Sequence, residues 1–252
     1  MEARSLPLRD LRSLRTDPWW LEPLAIGGAL IVFTLYVAWA VWQNDYYYAA
    51  PYLSPLYSPC LAASCLHPGA ALTDGWRWSP ALLVVWVPLG LRATCYYYRK
   101  AYYRAFFLAP AACAVPDAAS VYSGEAQFPL VLQNIHRYFF YLSLPILGFL
   151  WWDALRAFFP AGFGVGVGAL LLLVNAALLT LFAGSCNSCR HVVGGHLKSF
   201  HGAPIRHGLW RLSSRLNERH GLYAWVSLGS VVLADLYIRL LASGILSDYR
   251  LF

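Results

Sequence analysis

A chain of 252 residues that is 59% hydrophobic and only 12% charged, with mean hydropathy +0.49, cannot clothe the surface of a soluble domain, which carries roughly a quarter charged residues. The composition excludes a soluble enzyme and points to an all-α integral membrane protein. A net charge of +7 does not require nucleic acid, because the basic residues fall into a topological pattern.

Met1 to Pro18 is polar and basic, and the apolar run behind it is too long for a signal-peptide core, so the first helix is expected to stay in the mature protein. A span needs about 20 apolar residues. The first is predicted over about 19–42, interrupted only by Glu22. A loop from Asp45 to Trp78 follows, and Ser79-Pro80 starts a second span that runs to about Tyr98 and is expected to continue as a helix out of the membrane to Phe107, about 80–107 in all. The third and fourth cover about 130–159 and 163–187; Pro160-Ala161-Gly162 turns tightly between them and makes them antiparallel neighbours. The fifth covers about 222–246. The reading is one helical domain over 1–252, a bundle of about five transmembrane helices, with no repeat and no linker. The missing repeats argue against a transporter.

Lys and Arg set the orientation. The N-terminal segment holds Arg4, Arg9, Arg12 and Arg15; the loop after the second span adds Arg99, Lys100 and Arg104; the loop after the fourth adds Arg190, Lys198, Arg206, Arg211, Arg215 and Arg219. Only Arg77, Arg156 and Arg250 fall on the other side. The N-terminus is expected in the cytoplasm, in a bacterial inner membrane. Arg92, Arg137 and Arg239 lie within spans, where an ionisable group needs a partner or must snorkel. Asp235 and Arg239, four residues apart, can pair along one helix face.

Topology sorts the cysteines. Cys60 and Cys65 share the outer loop, an oxidising compartment, and are read as a disulfide. Cys95, Cys113, Cys186 and Cys189 lie on or near the inner side, where thiols mean packing, metal or redox chemistry. Cys186-Asn-Ser-Cys189 is a C-x-x-C at the inner end of the fourth span, a spacing that lets two thiolates reach one metal. Counted from the Pro160 turn, His136 and Cys186 fall at nearly equal depth on facing helices. His191, His220 and Cys95 approach the same layer. His196, His201 and His207 occupy a polar basic loop and are read as surface groups.

Two histidines on facing helices suit haem b; two cysteines plus two histidines suit a Rieske-type [2Fe–2S] cluster, and the thiol count favours the cluster. The candidate metal ligands are Cys186, Cys189, His136, His191 and His220, with Cys95 and Cys113 as further thiols. Beside them, the run from Cys95 to Arg104 offers phenols and cations for a quinone: Tyr97, Tyr98, Arg99 and Tyr102, together with Arg137. An aromatic belt with snorkelling bases explains most of that run equally well.

Arg92-Ala-Thr-Cys-Tyr-Tyr-Tyr-Arg-Lys-Ala-Tyr-Tyr-Arg, Gln133-Asn-Ile-His-Arg-Tyr-Phe-Phe, Ser185-Cys-Asn-Ser-Cys-Arg-His, Leu216-Asn-Glu-Arg-His and Trp225-Val-Ser-Leu occur in that order. Together they resemble the membrane anchor of succinate dehydrogenase (complex II), of the actinobacterial single-anchor type, over roughly Trp19 to Leu246. The resemblance implies a five-helix anchor docking a flavoprotein and an iron–sulfur subunit on its cytoplasmic face. It implies electron transfer from succinate to menaquinone or ubiquinone, and a Rieske-type [2Fe–2S] cluster in place of haem b. Cys186 and Cys189 would hold one iron, and His136 with His191 or His220 the other. Asn187 stands where the family pattern leads one to expect histidine, which shifts weight to those three imidazoles. The alternative function is a haem b-binding, quinone-linked electron carrier of another respiratory complex.

Overall fold

The structure, a computed structural model, describes residues 15–60, 78–115, 128, 130–160 and 162–251. Four of its helical segments are long and apolar enough to cross a bilayer: Leu21–Gln43, Val131–Arg156, Val167–Gly184 and His220–Ala242. In chain order the elements are α1 (Leu21–Gln43), the strands β1 (Tyr48–Ala49) and β2 (Tyr52–Leu53), α2 (Trp86–Ala93), α3 (Tyr96–Tyr102), α4 (His136–Arg156), α5 (Val167–Gly184), α6 (Asn187–Gly194), α7 (Pro204–Asn217) and α8 (His220–Ala242).

α1 ends at Asn44, whose φ of 50° is the left-handed stop that asparagine tolerates better than most residues. The antiparallel β1–β2 hairpin then turns the chain inward. Leu56, Tyr57, Ser58 and Cys60 are buried behind it, and the Tyr57 hydroxyl donates to the Ala40 carbonyl at 2.9 Å. Small residues let α5 and α8 approach closely: Ala169 and Ala176 face the cluster that holds Ala234 and Ile238, and Ser230 donates to Asn175 Oδ1 at 2.9 Å. Between the end of α4 and the start of α5, Gly164 N–H bonds to the Phe158 carbonyl; the turn expected at Pro160-Ala161-Gly162 includes Ala161, which lies outside the described residues. Arg239 Nε meets Asp235 Oδ2 at 2.7 Å, the pair expected from their spacing.

The continuous second span expected over 80–107 does not form. A 3₁₀ turn (Pro80–Leu83) leads to α2, then α3, then a π-helical turn at Tyr103–Phe107. α2 rises only about 12 Å, far short of the roughly 30 Å hydrocarbon core. The break at Thr94–Cys95 has a local cause. Thr94 donates its hydroxyl to the Gly90 carbonyl at 2.7 Å, and Cys95 turns extended, with ψ 132°. The other boundaries shift by a few residues. α5 starts at Val167 because Val165 and Val167 pair with the C-terminal strand-like residues Leu251 and Tyr249, and α8 stops at Ala242 ahead of Gly244, whose φ is +75°.

One close approach is directly testable. Tyr52 lies against Gly168 at the start of α5 and donates its hydroxyl to Asp248 at 2.5 Å. A β-carbon at Gly168 would stand 2.8 Å from two atoms of the Tyr52 ring, whereas one at Gly229 meets nothing within 4 Å. Gly168→Ala is expected to cost about 1–3 kcal/mol, read as a lower unfolding midpoint in detergent, with Gly229→Ala unchanged or slightly raised.

Candidate functional site

Two chain breaks build the site. Cys95 caps the N-terminus of α3 with ψ 132°, and Cys186 caps that of α6 with ψ 144°. Each thiol therefore sits at the positive end of a short helix, and Cys186 accepts from the Ser188 N–H at 3.4 Å. A histidine faces each sulfur: His136 Nε2 lies 3.1 Å from Cys186 Sγ, and His220 Nε2 lies 3.3 Å from Cys95 Sγ. The residue before each cysteine holds the other pair's ring. Thr94 Oγ1 is 2.9 Å from His136 Nδ1, and Ser185 Oγ is 2.6 Å from His220 Nδ1.

These hydroxyls fix the tautomers. Thr94 gives its single proton to the Gly90 carbonyl, and Ser185 gives its own to the Phe182 carbonyl at 2.9 Å. Each oxygen can then only accept from the imidazole, so Nδ1 carries the proton and Nε2 presents a lone pair toward the thiol. Phe182 stacks on the His220 ring, with centroids 5.1 Å apart and planes 13° from parallel, and Tyr97 meets its edge. The Trp225 indole N–H in turn donates to the Tyr97 hydroxyl at 2.8 Å.

The four groups border one polar cavity of about 350 Å³, also walled by Tyr97, Gln133, Arg137, Asn187 and Asn217. Burial pushes the Cys186 thiol, just beyond the end of α5, up to about 11, and nearby Cys95 adds to the rise against the Ser188 N–H bond. Among the described residues no group of three or more His, Cys, Asp or Glu surrounds a single metal position. The donors stand instead as two Cys–His pairs.

Residues 21–244 match the family model of the actinobacterial succinate dehydrogenase subunit SdhC. The chain belongs to this family. A chain of the Mycobacterium smegmatis Sdh1 complex in the apo form is similar to this one: 43% identity, a TM-score of 0.88, and coverage of 100% of this chain and 97% of that one. No curated protein matches the chain. The chain is thus a membrane anchor subunit of succinate dehydrogenase, part of a succinate:quinone oxidoreductase, and a multi-pass protein of the bacterial inner membrane.

In this anchor the sequence-predicted residues separate. Cys186, His136, His220 and Cys95 come together. Cys189 does not border the cavity; it packs partly buried against the cluster that holds Leu91, Phe182 and the thiols Cys95 and Cys186. The C-x-x-C straddles the end of the fourth span as expected from its position, with Cys186 at the extended N-cap of α6 and Cys189 within α6. Cys113 is an exposed, free thiol whose carbonyl accepts from Arg15 Nη1 at 3.0 Å, far along the chain from the pairs. His191 borders the cavity from an exposed position and lies edge-on to His196, 6.3 Å away.

Of the phenols and cations, Tyr97 and Arg137 border the cavity. Tyr98 is buried and committed, donating to the Ala224 carbonyl at 2.7 Å and accepting from Arg92 at 2.6 Å. Tyr102 accepts from Gln133 Nε2 at 2.6 Å, and Arg99 lies over the rings of Tyr96 and Tyr103. Cys60 is buried and disulfide-bonded, while Cys65 lies outside the described residues. Thr94 and Ser185 escaped the sequence reading. Their signal was position: each directly precedes a site cysteine.

Proposed function

We propose that this anchor passes electrons from the iron–sulfur subunit to membrane quinone through a Rieske-type [2Fe–2S] cluster held by Cys95, Cys186, His136 and His220. The observation that carries the reading is the donor set: two thiols and two imidazoles on four separate chain segments around one cavity. Two thiols and two imidazoles are the Rieske complement, thiolates on one iron and imidazoles on the other. The pinned tautomers make Nε2 the ligating nitrogen of both rings. Bound, the cluster supplies one-electron transfer; the iron charge also offsets the burial that keeps Cys186 protonated. Haem b fits less well, because both Nε2 atoms are met by sulfur rather than facing each other across an open slot.

The basic end faces the cytoplasm, thirteen Lys and Arg against three. The flavoprotein and iron–sulfur subunits dock there, where Lys198, Arg211, Arg215 and Arg219 are exposed. A quinone headgroup, of menaquinone or ubiquinone, approaches the cavity beside Tyr97 and Arg137, which offer it a phenol and a cation. On the opposite side, Cys60 is disulfide-bonded.

The test is spectroscopic. The purified three-subunit complex, reduced with succinate or dithionite, is expected to give a rhombic EPR signal with the low average g of a histidine-ligated two-iron cluster. Its optical spectrum is expected to lack a sharp reduced haem α-band. An α-band without that EPR signal overturns the assignment in favour of haem b.

A further inference from the structure

Arg92 sits in α2 and is 8% exposed, yet every partner it has is neutral. Nη1 donates to the Tyr98 hydroxyl at 2.6 Å and the Ala224 carbonyl at 3.1 Å, and Nη2 donates to Ser227 Oγ at 2.9 Å. The Tyr98 phenol spends its own proton on the Ala224 carbonyl. The ion pairs Arg239–Asp235 and Arg15–Asp17 lie elsewhere, and among the described residues no carboxylate pairs with Arg92. A buried guanidinium in a membrane bundle is expensive unless something negative lies within reach.

The direction of that negative charge is visible. The Phe182 ring centroid lies 4.5 Å from Arg92 Cζ, and the same ring stacks on His220 with centroids 5.1 Å apart. One ring, Phe182, thus touches both Arg92 and the imidazole that faces Cys95. Arg92 borders a different cavity, of about 80 Å³, walled almost wholly by apolar side chains such as Phe33, Leu89 and Leu147.

We propose that Arg92 is the built-in counter-charge of the redox centre, holding its reduction potential up. The proposal rests on the cluster reading above. The centre takes one electron from the partner iron–sulfur subunit and later yields it to quinone, with no bond made or broken at Arg92. Two thiolates balance an oxidised two-iron core, so the reduced centre carries the extra negative charge that a fixed cation favours. Arg92 acts at a distance and touches no reacting atom; it is a positioning residue in the electrostatic sense.

The experiment is an EPR-monitored redox titration of the purified complex carrying Arg92→Gln, Ser227→Asp or Ser227→Ala. Arg92→Gln removes the charge; Ser227→Asp leaves the arginine and cancels it; Ser227→Ala loosens the same bonds and keeps it. At an effective dielectric near 20, the first two are expected to lower the equilibrium constant for reduction about tenfold, roughly 59 mV for one electron. Ser227→Ala is expected to hold the wild-type midpoint. If Arg92→Gln fails to assemble, Ser227→Asp decides alone. Wild-type midpoints in both charge variants, or an equal drop in Ser227→Ala, overturn the assignment of Arg92 while the cluster stands. No two-iron signal in the wild-type complex overturns the cluster and Arg92 together.

Discussion

Cys95→Ala is expected to abolish both the two-iron EPR signal and quinone reduction, a loss of more than about a hundredfold, while Cys189→Ala leaves both near wild type. The expectation inverts what a C-x-x-C motif suggests. It follows from the geometry: Cys95 Sγ faces His220 Nε2 at 3.3 Å at the cavity wall, and Cys189, although packed against the same cluster, does not line the cavity. His136→Ala and His220→Ala are expected to behave like Cys95→Ala. Thr94→Val and Ser185→Ala remove the hydroxyls that hold Nδ1, and losses of 10–100-fold are usual for such supporting groups. Succinate oxidation with a soluble dye acceptor checks assembly, because it draws electrons before they reach the anchor and is expected to survive in every variant. A Cys189→Ala complex without the EPR signal would return weight to the motif.

Asp235→Ala is expected to destabilise the anchor by about 3–5 kcal/mol, the usual cost of stripping one partner from a buried ion pair. Asp235 is fully buried in α8, accepts from the Tyr36 hydroxyl at 2.6 Å, and takes the Ser54 hydroxyl as well as Arg239. Arg239 in turn donates to Gln43 Oε1 at 2.8 Å and to the Asp45 and Ala40 carbonyls at 2.9 Å. Removing the carboxylate leaves a guanidinium inside the bundle with neutral partners only, and it frees the segment behind the β1–β2 hairpin. The double replacement Asp235→Leu with Arg239→Leu is expected to recover much of the loss, since it removes both charges. Thermal inactivation of the detergent-solubilised complex measures both; equal midpoints for Asp235→Ala and wild type would show the pair to be dispensable.

The sequence disclosed the long helices because each is an unbroken apolar run, and α1, α5 and α8 are little else. It could not disclose the interruption of 80–107. The stretch from Pro80 to Leu91 is apolar, and a hydropathy pattern carries no record of Thr94 bonding back to Gly90 or of Cys95 turning extended. The site was half legible for the same reason. His136 and Cys186 could be paired by counting from a turn, since rise per residue is fixed along facing helices. Cys95 and His220 needed the broken second segment and the start of α8, so they remained members of a longer set. Cys189 gained weight from the C-x-x-C spacing and His191 from its nearness to the same layer, and neither signal says which way a side chain turns. Thr94 and Ser185 were invisible because a hydroxyl in an apolar run ordinarily bonds its own helix, and these do so while also holding a ring across the bundle.

The placement of the four donors on four separate elements carries a consequence for biogenesis. Cys95 lies at the α2–α3 junction, His136 opens α4, Cys186 lies at the α5–α6 junction, and His220 opens α8. No nascent chain presents the full set until His220, at the start of α8, has been made, so a cluster held by these four residues would be loaded only after that point. A shorter nascent chain would offer stray metal ions only incomplete sets of donors.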